Sequence, residues 1–268
     1  MTTGTRVSKQ EEARASILLD SVSVVFDQVE PGAAVRYVLR DITLSVSNGE
    51  FLAVVGRSGC GKTTILNLLA GLIEPVSGRV NVCGTTPREA RPDLAYMFAR
   101  DCLLPWRTVR KNVEIGLEAR RVPRKTRETR AGAELERVGL GAYLHRYPSE
   151  LSHGMRQRAA LARTWSLDPK VLLMDEPFAA LDAQTREEIE AEFLSIWQVS
   201  KCTVIFVTHD LLEAVFMADR VVFIDEGHIT LDMPINFPRP RFYDQLTTSV
   251  EFGEVLRELR GCFAAISS

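Results

Sequence analysis

The stretch FLAVVGRSGCGKTTILNLL, Phe51 to Leu69, decides the fold. It opens on an apolar run of strand type, whereas Ile65, Leu68, Leu69 and the following Leu72 fall at i, i+3, i+4 and i+7, one face of a helix. Between them, Gly56-Arg57-Ser58-Gly59-Cys60-Gly61-Lys62-Thr63-Thr64 fits G-x-x-x-x-G-K-[ST]. A glycine-rich loop between a strand and a helix aims successive backbone N–H groups, and the positive end of the helix dipole, at a polyphosphate. Gly56, Gly59 and Gly61 let the backbone approach closely, Lys62 would neutralise the β- and γ-phosphates, and the Thr63 hydroxyl would hold Mg²⁺.

Outward from the loop, Ile17 to Val55 reads as β structure: the run ILLDSVSVVF, a turn at Pro31-Gly32, the alternating Ile42-Thr43-Leu44-Ser45-Val46, and a turn at Asn48-Gly49. Thr108 to Ser166 is rich in Arg, Glu, Ala and Leu at helical spacing and reads as a helical insertion. Two continuous apolar runs follow, Val171 to Met174 and Cys202 to Val207, separated by a helical stretch from Gln184 to Val199, as in a buried parallel sheet. A hairpin is expected at Asp225-Glu226-Gly227, then an extended PINFPRPR segment and a terminal helix near Phe252 to Leu259. In an open α/β sheet the strand C-termini share one edge, the usual ligand crevice. There, Asp175 would hold a hydrated Mg²⁺, Glu176 would polarise the attacking water, and His209 would touch the γ-phosphate.

Composition narrows the class. With 268 residues, 46% apolar and 25% charged, the chain can bury a full core and is neither disordered, collagen-like nor a disulfide scaffold. No apolar run approaches the ~18 residues of a membrane span, and the opening MTTGTRVSKQEEARAS has no apolar stretch of signal-peptide type, so a cytosolic protein is expected. Five cysteines without CxxC spacing point to free thiols. A net charge of −2 gives no electrostatic case for a nucleic-acid partner. Arg100 to Arg130 nevertheless carries ten basic residues against four acidic ones, which fits either a solvated helical face or a docking face for an acidic partner or lipid head groups.

Several motifs, in order, resemble the ATP-binding cassette (ABC) ATPase subunits of membrane transporters from Ile17 to about Leu231. LSHGMRQR, Leu151 to Arg158, resembles the signature, with Ser152 and Gly154 as nucleotide contacts. LLMDEP carries the Walker B aspartate Asp175 and the catalytic glutamate Glu176. Ala180-Leu181-Asp182 resembles the D-loop, Thr208-His209-Asp210 the switch histidine, and Phe26 the aromatic that stacks on adenine. The resemblance implies an α/β P-loop NTPase core with an N-terminal antiparallel β subdomain and an inserted α-helical subdomain at about 100–166. It implies one cassette over 16–240, between a tail at 1–15 and a short segment at 241–268.

ATP and Mg²⁺ are the implied ligands, held by Gly56, Arg57, Ser58, Gly59, Cys60, Gly61, Lys62, Thr63 and Thr64, with Asp182 nearby. The implied assembly is a head-to-tail homodimer, each ATP lying between the phosphate loop of one copy and the signature of a second ATPase subunit. Ser152 and Gly154 open an expected helix, whose N-terminal amides suit a γ-phosphate. Further implied partners are a transmembrane permease subunit and, indirectly, a solute-binding protein; the implied location is peripheral, on the cytoplasmic face of the inner membrane. CLLPWRTVRKNV, Cys102 to Val113, and the LDMP…PRPR ending look most like the nitrate/sulfonate/taurine importer ATPases.

Two positions depart from the family pattern. Ala99 stands where the Q-loop glutamine is expected, and His153 where the signature has its first glycine. A methyl group cannot orient water, and losing one positioned polar group costs on the order of 10²-fold in rate. Both a slow or tightly coupled ATPase and a degenerate nucleotide-binding subunit with a regulatory or structural role are compatible with these changes. At His153 a β-carbon would strain the backbone only if φ were positive. Cys60, inside the phosphate loop, is expected to let a thiol reagent block nucleotide binding.

Overall fold

The computed structural model describes residues 15–25 and 36–266. The chain forms two compact units, the first from Met1–Arg91 with Lys201–Ser268 and the second from Pro92–Ser200. In the first unit β1 (Ala15–Val25) lies between β2 (Tyr37–Ser47) and β4 (Ser77–Val82) in an antiparallel sheet. Ile17, Leu19, Val22 and Val24 on β1, and Leu39, Ile42, Leu44 and Val46 on β2, are buried, the mark of a sheet with one covered face. Phe26 and the expected Pro31-Gly32 turn lie outside the described residues.

A second set of strands in this unit carries the phosphate loop. β3 (Phe51–Gly56), buried along its whole length, runs parallel to β7 (Thr203–Val207) on one side and to β8 (Arg220–Asp225) on the other. β9 (His228–Pro234) returns antiparallel to β8 through Glu226 and Gly227, both at positive φ, 44° and 79°. Two such residues make the turn whose twist matches the strands, so the expected hairpin forms where DEG reads it. The strand of the second unit, β6 (Val171–Asp175), pairs in parallel with β5 (Leu94–Met97).

Helices α1 (Lys62–Leu69) and α2 (Pro87–Ala90) belong to the first unit. α3 (Val109–Val113), α4 (Ile115–Ala119), α5 (Arg124–Arg137), α6 (His153–Trp165) and α7 (Ala183–Ser200) belong to the second; α8 (Leu211–Met217), α9 (Tyr243–Thr247) and α10 (Val250–Ile266) return to the first. Leu72, read as part of the α1 stripe, is instead outside the helix and 61% exposed. The Leu72 amide donates to the Asn67 carbonyl and the Gly71 amide to that of Leu68, with Gly71 left-handed. This C-terminal motif stops the helix one turn early and swings the next side chain off its face. α10 is longer than the expected Phe252 to Leu259. No described helix is long and apolar enough to cross a membrane.

The basic stretch resolves into an internal ion-pair network. Glu114 is fully buried and meets Lys111 at 2.7 Å, Arg110 at 3.5 Å and Arg127 at 3.7 Å, while Arg107 reaches Glu118 at 2.7 Å and Arg124 reaches Glu128 at 2.9 Å. Arg120 donates to the Leu94 and Leu167 carbonyls. Six of the ten basic groups are thus engaged within their own unit, Arg127 between its helices, which weakens the docking-face reading. Deleting the Glu114 carboxylate strands three cations around a buried site, at a cost of roughly 3–5 kcal/mol readable in a urea midpoint.

Candidate functional site

β3 delivers its backbone directly into the phosphate loop. A β-carbon on Gly56 would collide with the Ile224 carbonyl of β8, and Gly61 caps α1 at φ 108°, where a β-carbon would come within 2.6 Å of Leu39. Glycine is therefore required at both ends of the loop. The Lys62 ammonium, 6% exposed, donates to the Gly56 carbonyl at 2.8 Å and the Arg57 carbonyl at 3.0 Å, holding the loop curled around itself. α1 has no acidic residue in its first turn and no side-chain cap, and a β-carbon on Gly59 would face open space. A polyphosphate can approach that rim and meet amides and an ammonium. Thr63 and Thr64 follow on the first turn of α1.

Cys60 sits inside the loop, where the expected thiol chemistry would take place. Its side chain is packed against Gly56 and only 8% exposed, and burial pushes the thiol up in pKa, against the lowering by Lys62 and backbone amides. Thiolate is the reactive form, so burial and the raised pKa both oppose reaction at Cys60.

His209 follows β7, and the β3–β7 register pairs Val54 with Val207 while the Thr208 amide donates to the Val54 carbonyl. His209 lies two residues beyond the last paired position, on the same strand end as the phosphate loop that follows β3. The flanking residues fix its backbone: Thr208 donates to buried Glu213 at 2.6 Å, and Asp210 caps α8 by accepting from the Leu212 and Glu213 amides at 2.8 and 3.4 Å.

In the second unit, Asp175 ends β6 and Glu176 follows with φ 47°, a left-handed backbone unusual for a non-glycine residue and costing about 1–3 kcal/mol. Strain of this kind collects at functional sites. The Tyr96 hydroxyl on β5 donates to an Asp175 carboxylate oxygen at 3.4 Å, a contact the sequence reading missed. Burial, then Asp175, push the Tyr96 phenol far up in pKa, so it stays a donor. Thr63 in the first unit and Asp175 in the second each carry a hard oxygen donor of the type that Mg²⁺ prefers.

Ser152 caps α6, its hydroxyl accepting from the Met155 amide at 3.3 Å, and His153 is the first helical residue. Its backbone is helical, so the histidine is unstrained. A β-carbon on Gly154 would come within 2.8 Å of the Thr185 methyl group, so this signature glycine is also needed for packing against α7. Asp182 accepts from the Thr185 amide at 3.1 Å, which holds its carboxyl below the usual range. Ala99 and His153, the two departures, line one hollow of about 460 Å³ together with Arg100, Asp101, Cys102 and Ala180. Asp101 is pinned to α6 by Arg156 at 3.0 Å, and Arg163 of the same helix donates to the Asp101 and Cys102 carbonyls.

Comparison with known proteins agrees with this geometry. Residues 39–179 match the family model described as ABC transporter. The chain is 44% identical over 210 residues to a nitrate import ATP-binding protein of Synechococcus elongatus, covering 76% of this chain and 77% of that one. It is 44% identical over 224 residues to an aliphatic sulfonates import ATP-binding protein of Pseudomonas aeruginosa, covering 84% and 80%. A dimeric ATP-binding cassette solved in a post-hydrolysis state with ADP and phosphate superposes with a TM-score of 0.72 at 27% identity, over 83% of this chain and all of that one. The chain belongs to the ABC transporter family, as an ATP-binding, ATP-hydrolysing cassette of importer type.

Proposed function

We propose that this chain energises uptake of a small oxyanion by closing and reopening as a head-to-tail homodimer on Mg²⁺-ATP. The observation that carries the reading is the phosphate loop itself, a curled backbone held by Lys62 in front of an uncapped helix start. Nitrate and sulfonate are the solutes named for the relatives, and both are small anions. The solute would be chosen by a membrane permease and a solute-binding protein, with the cassette docked peripherally on the cytoplasmic face.

In this reading the loop amides of Gly59 to Thr63 and the Lys62 ammonium take the β- and γ-phosphates. Thr63 and Asp175 would hold Mg²⁺, which would supply positive charge to neutralise the phosphates. Glu176 orients and polarises the water, and His209 donates to the γ-phosphate. Ser152 and Gly154 act on the partner copy's nucleotide, with the α6 dipole favouring the anion. The Ser152 hydroxyl accepts from the Met155 amide through a lone pair, which leaves its own proton free to donate to the phosphate.

Single-turnover hydrolysis by the purified chain and by Glu176→Gln tests the reading. The parent should release phosphate while the variant binds ATP and fails to cleave it. Equal slow rates for both would instead favour a degenerate nucleotide-binding subunit. Reconstitution with the permease, followed by a screen of nitrate, bicarbonate and alkanesulfonates for stimulation of ATPase activity, identifies the solute.

A further inference from the structure

The PRPR segment has no role in the chemistry above, yet its Arg241 side chain makes five hydrogen bonds to backbone carbonyls. Arg241 is buried, with 1% of its side chain exposed, and its guanidinium donates to carbonyls at the end of α8: Phe216 at 2.8 Å, Ala218 at 2.8 Å and Val215 at 3.4 Å. A second guanidinium nitrogen donates to the Phe237 carbonyl at 3.2 Å and that of Ile235 at 3.4 Å. Arg239 takes the Met217 carbonyl at 2.6 Å, and the Ala214 carbonyl already accepts from the Ala218 amide. The carbonyls a helix leaves unsatisfied at its C-terminus are thus met by two cations from one short segment, at the end of the dipole that favours positive charge. Burial and the neighbouring Arg239 lower the Arg241 pKa to about 10, against Asp219, so it remains charged at neutral pH.

The same cluster reaches the strand that carries the phosphate loop. Arg239 forms an ion pair with Asp219 at 2.7 Å, the other Asp219 oxygen accepts from the Phe51 amide at 3.1 Å, and the Asp219 amide donates to the Phe51 carbonyl at 2.8 Å. Phe51 begins β3, which ends at Gly56. At its opposite end α8 is bolted to Thr208 and Asp210, the neighbours of His209, through the Glu213 and cap bonds. A seven-residue helix moves as one body, so the bonds at its C-terminus set the position of its N-terminus.

We infer that Arg239 and Arg241 are positioning residues for His209, clamping α8 to the start of β3 so that the histidine is held at a fixed place beside the phosphate loop. The inference rests on the reading of His209 as the γ-phosphate contact for its catalytic consequence, but not for its geometry.

The chain has four histidines, so isotope labelling of histidine alone gives four imidazole signals, and His209→Asn assigns the one that matters. Arg239→Gln and Arg241→Met should each shift or double the His209 signal and leave those of His145 and His153, in the other unit, in place. With a displacement near 1 Å, kcat should fall about ten- to a hundredfold while KM for ATP changes less than about threefold. If Arg241→Met does not fold, Arg239→Gln decides, since it leaves the Arg241 bonds intact. Folded variants with an unmoved His209 signal would overturn the inference, as would a common loss of all four signals in Arg239→Gln. A moved His209 with unchanged kcat would uphold the clamp and count against the role given to His209.

Discussion

The phosphate loop and the hollow around Ala99 and His153 belong to one cassette yet tolerate change differently. Gly56 to Thr64 matches its pattern at every position because its work is done by the backbone. At Gly56 and Gly61 a side chain has no room, and Lys62 is tied into the curl by two carbonyl bonds. Residues 99 and 153 line an open space of about 460 Å³, where side chains act and neighbours can stand in for them. Tyr96, three residues before Ala99 and outside the hollow's lining, offers Asp175 a hydroxyl. Backbone-built sites fix their sequence, whereas side-chain sites fix only a set of available polar groups.

The largest effect should come from Lys62→Ala, which removes both the anion partner and the bonds curling the loop. Hydrolysis should fall on the order of 10³-fold, measured as phosphate release, and a loss under tenfold would break the contrast. Ala99→Gln should fold unchanged, because the hollow has room for the amide, and raise turnover by up to about 10²-fold. An unchanged rate would mean that the hollow is not limiting. Tyr96→Phe should lower turnover about tenfold, as expected for a lost hydrogen bond to a charged group. It should also weaken Mg²⁺-dependent binding of a fluorescent ATP analogue without altering binding in EDTA; equal changes in both would deny the link to Asp175.

The smallest and most local contrast lies in the thiols. Cys102, exposed at the hollow, should react quickly with a maleimide, whereas Cys60 should react slowly and more slowly still with ATP present. Peptide mapping after timed labelling separates them, and faster reaction at Cys60 would contradict its burial.

The strand, the glycine-rich loop and the helix that follows it were legible in the sequence because their demands are local and they are adjacent in the chain. The Glu226-Gly227 turn was legible for the same reason. The Tyr96–Asp175 contact joins residues 79 apart across a strand pair, and no periodicity reports which partner a strand will find. Arg241 binds carbonyls 23 to 26 residues upstream, so PRPR read only as an extended segment. The charge count over Arg100 to Arg130 likewise could not say that Glu114 would be buried among its cations. Leu72 fitted the helical stripe, but Gly71 ended the helix before the stripe could be used.

Sedimentation equilibrium of Glu176→Gln, with and without saturating Mg²⁺-ATP, tests the account most directly. The chain should be monomeric without nucleotide and a dimer with it, and Ser152→Ala should weaken that dimer. A variant that binds ATP to saturation and stays monomeric at every concentration would contradict the shared-nucleotide mechanism.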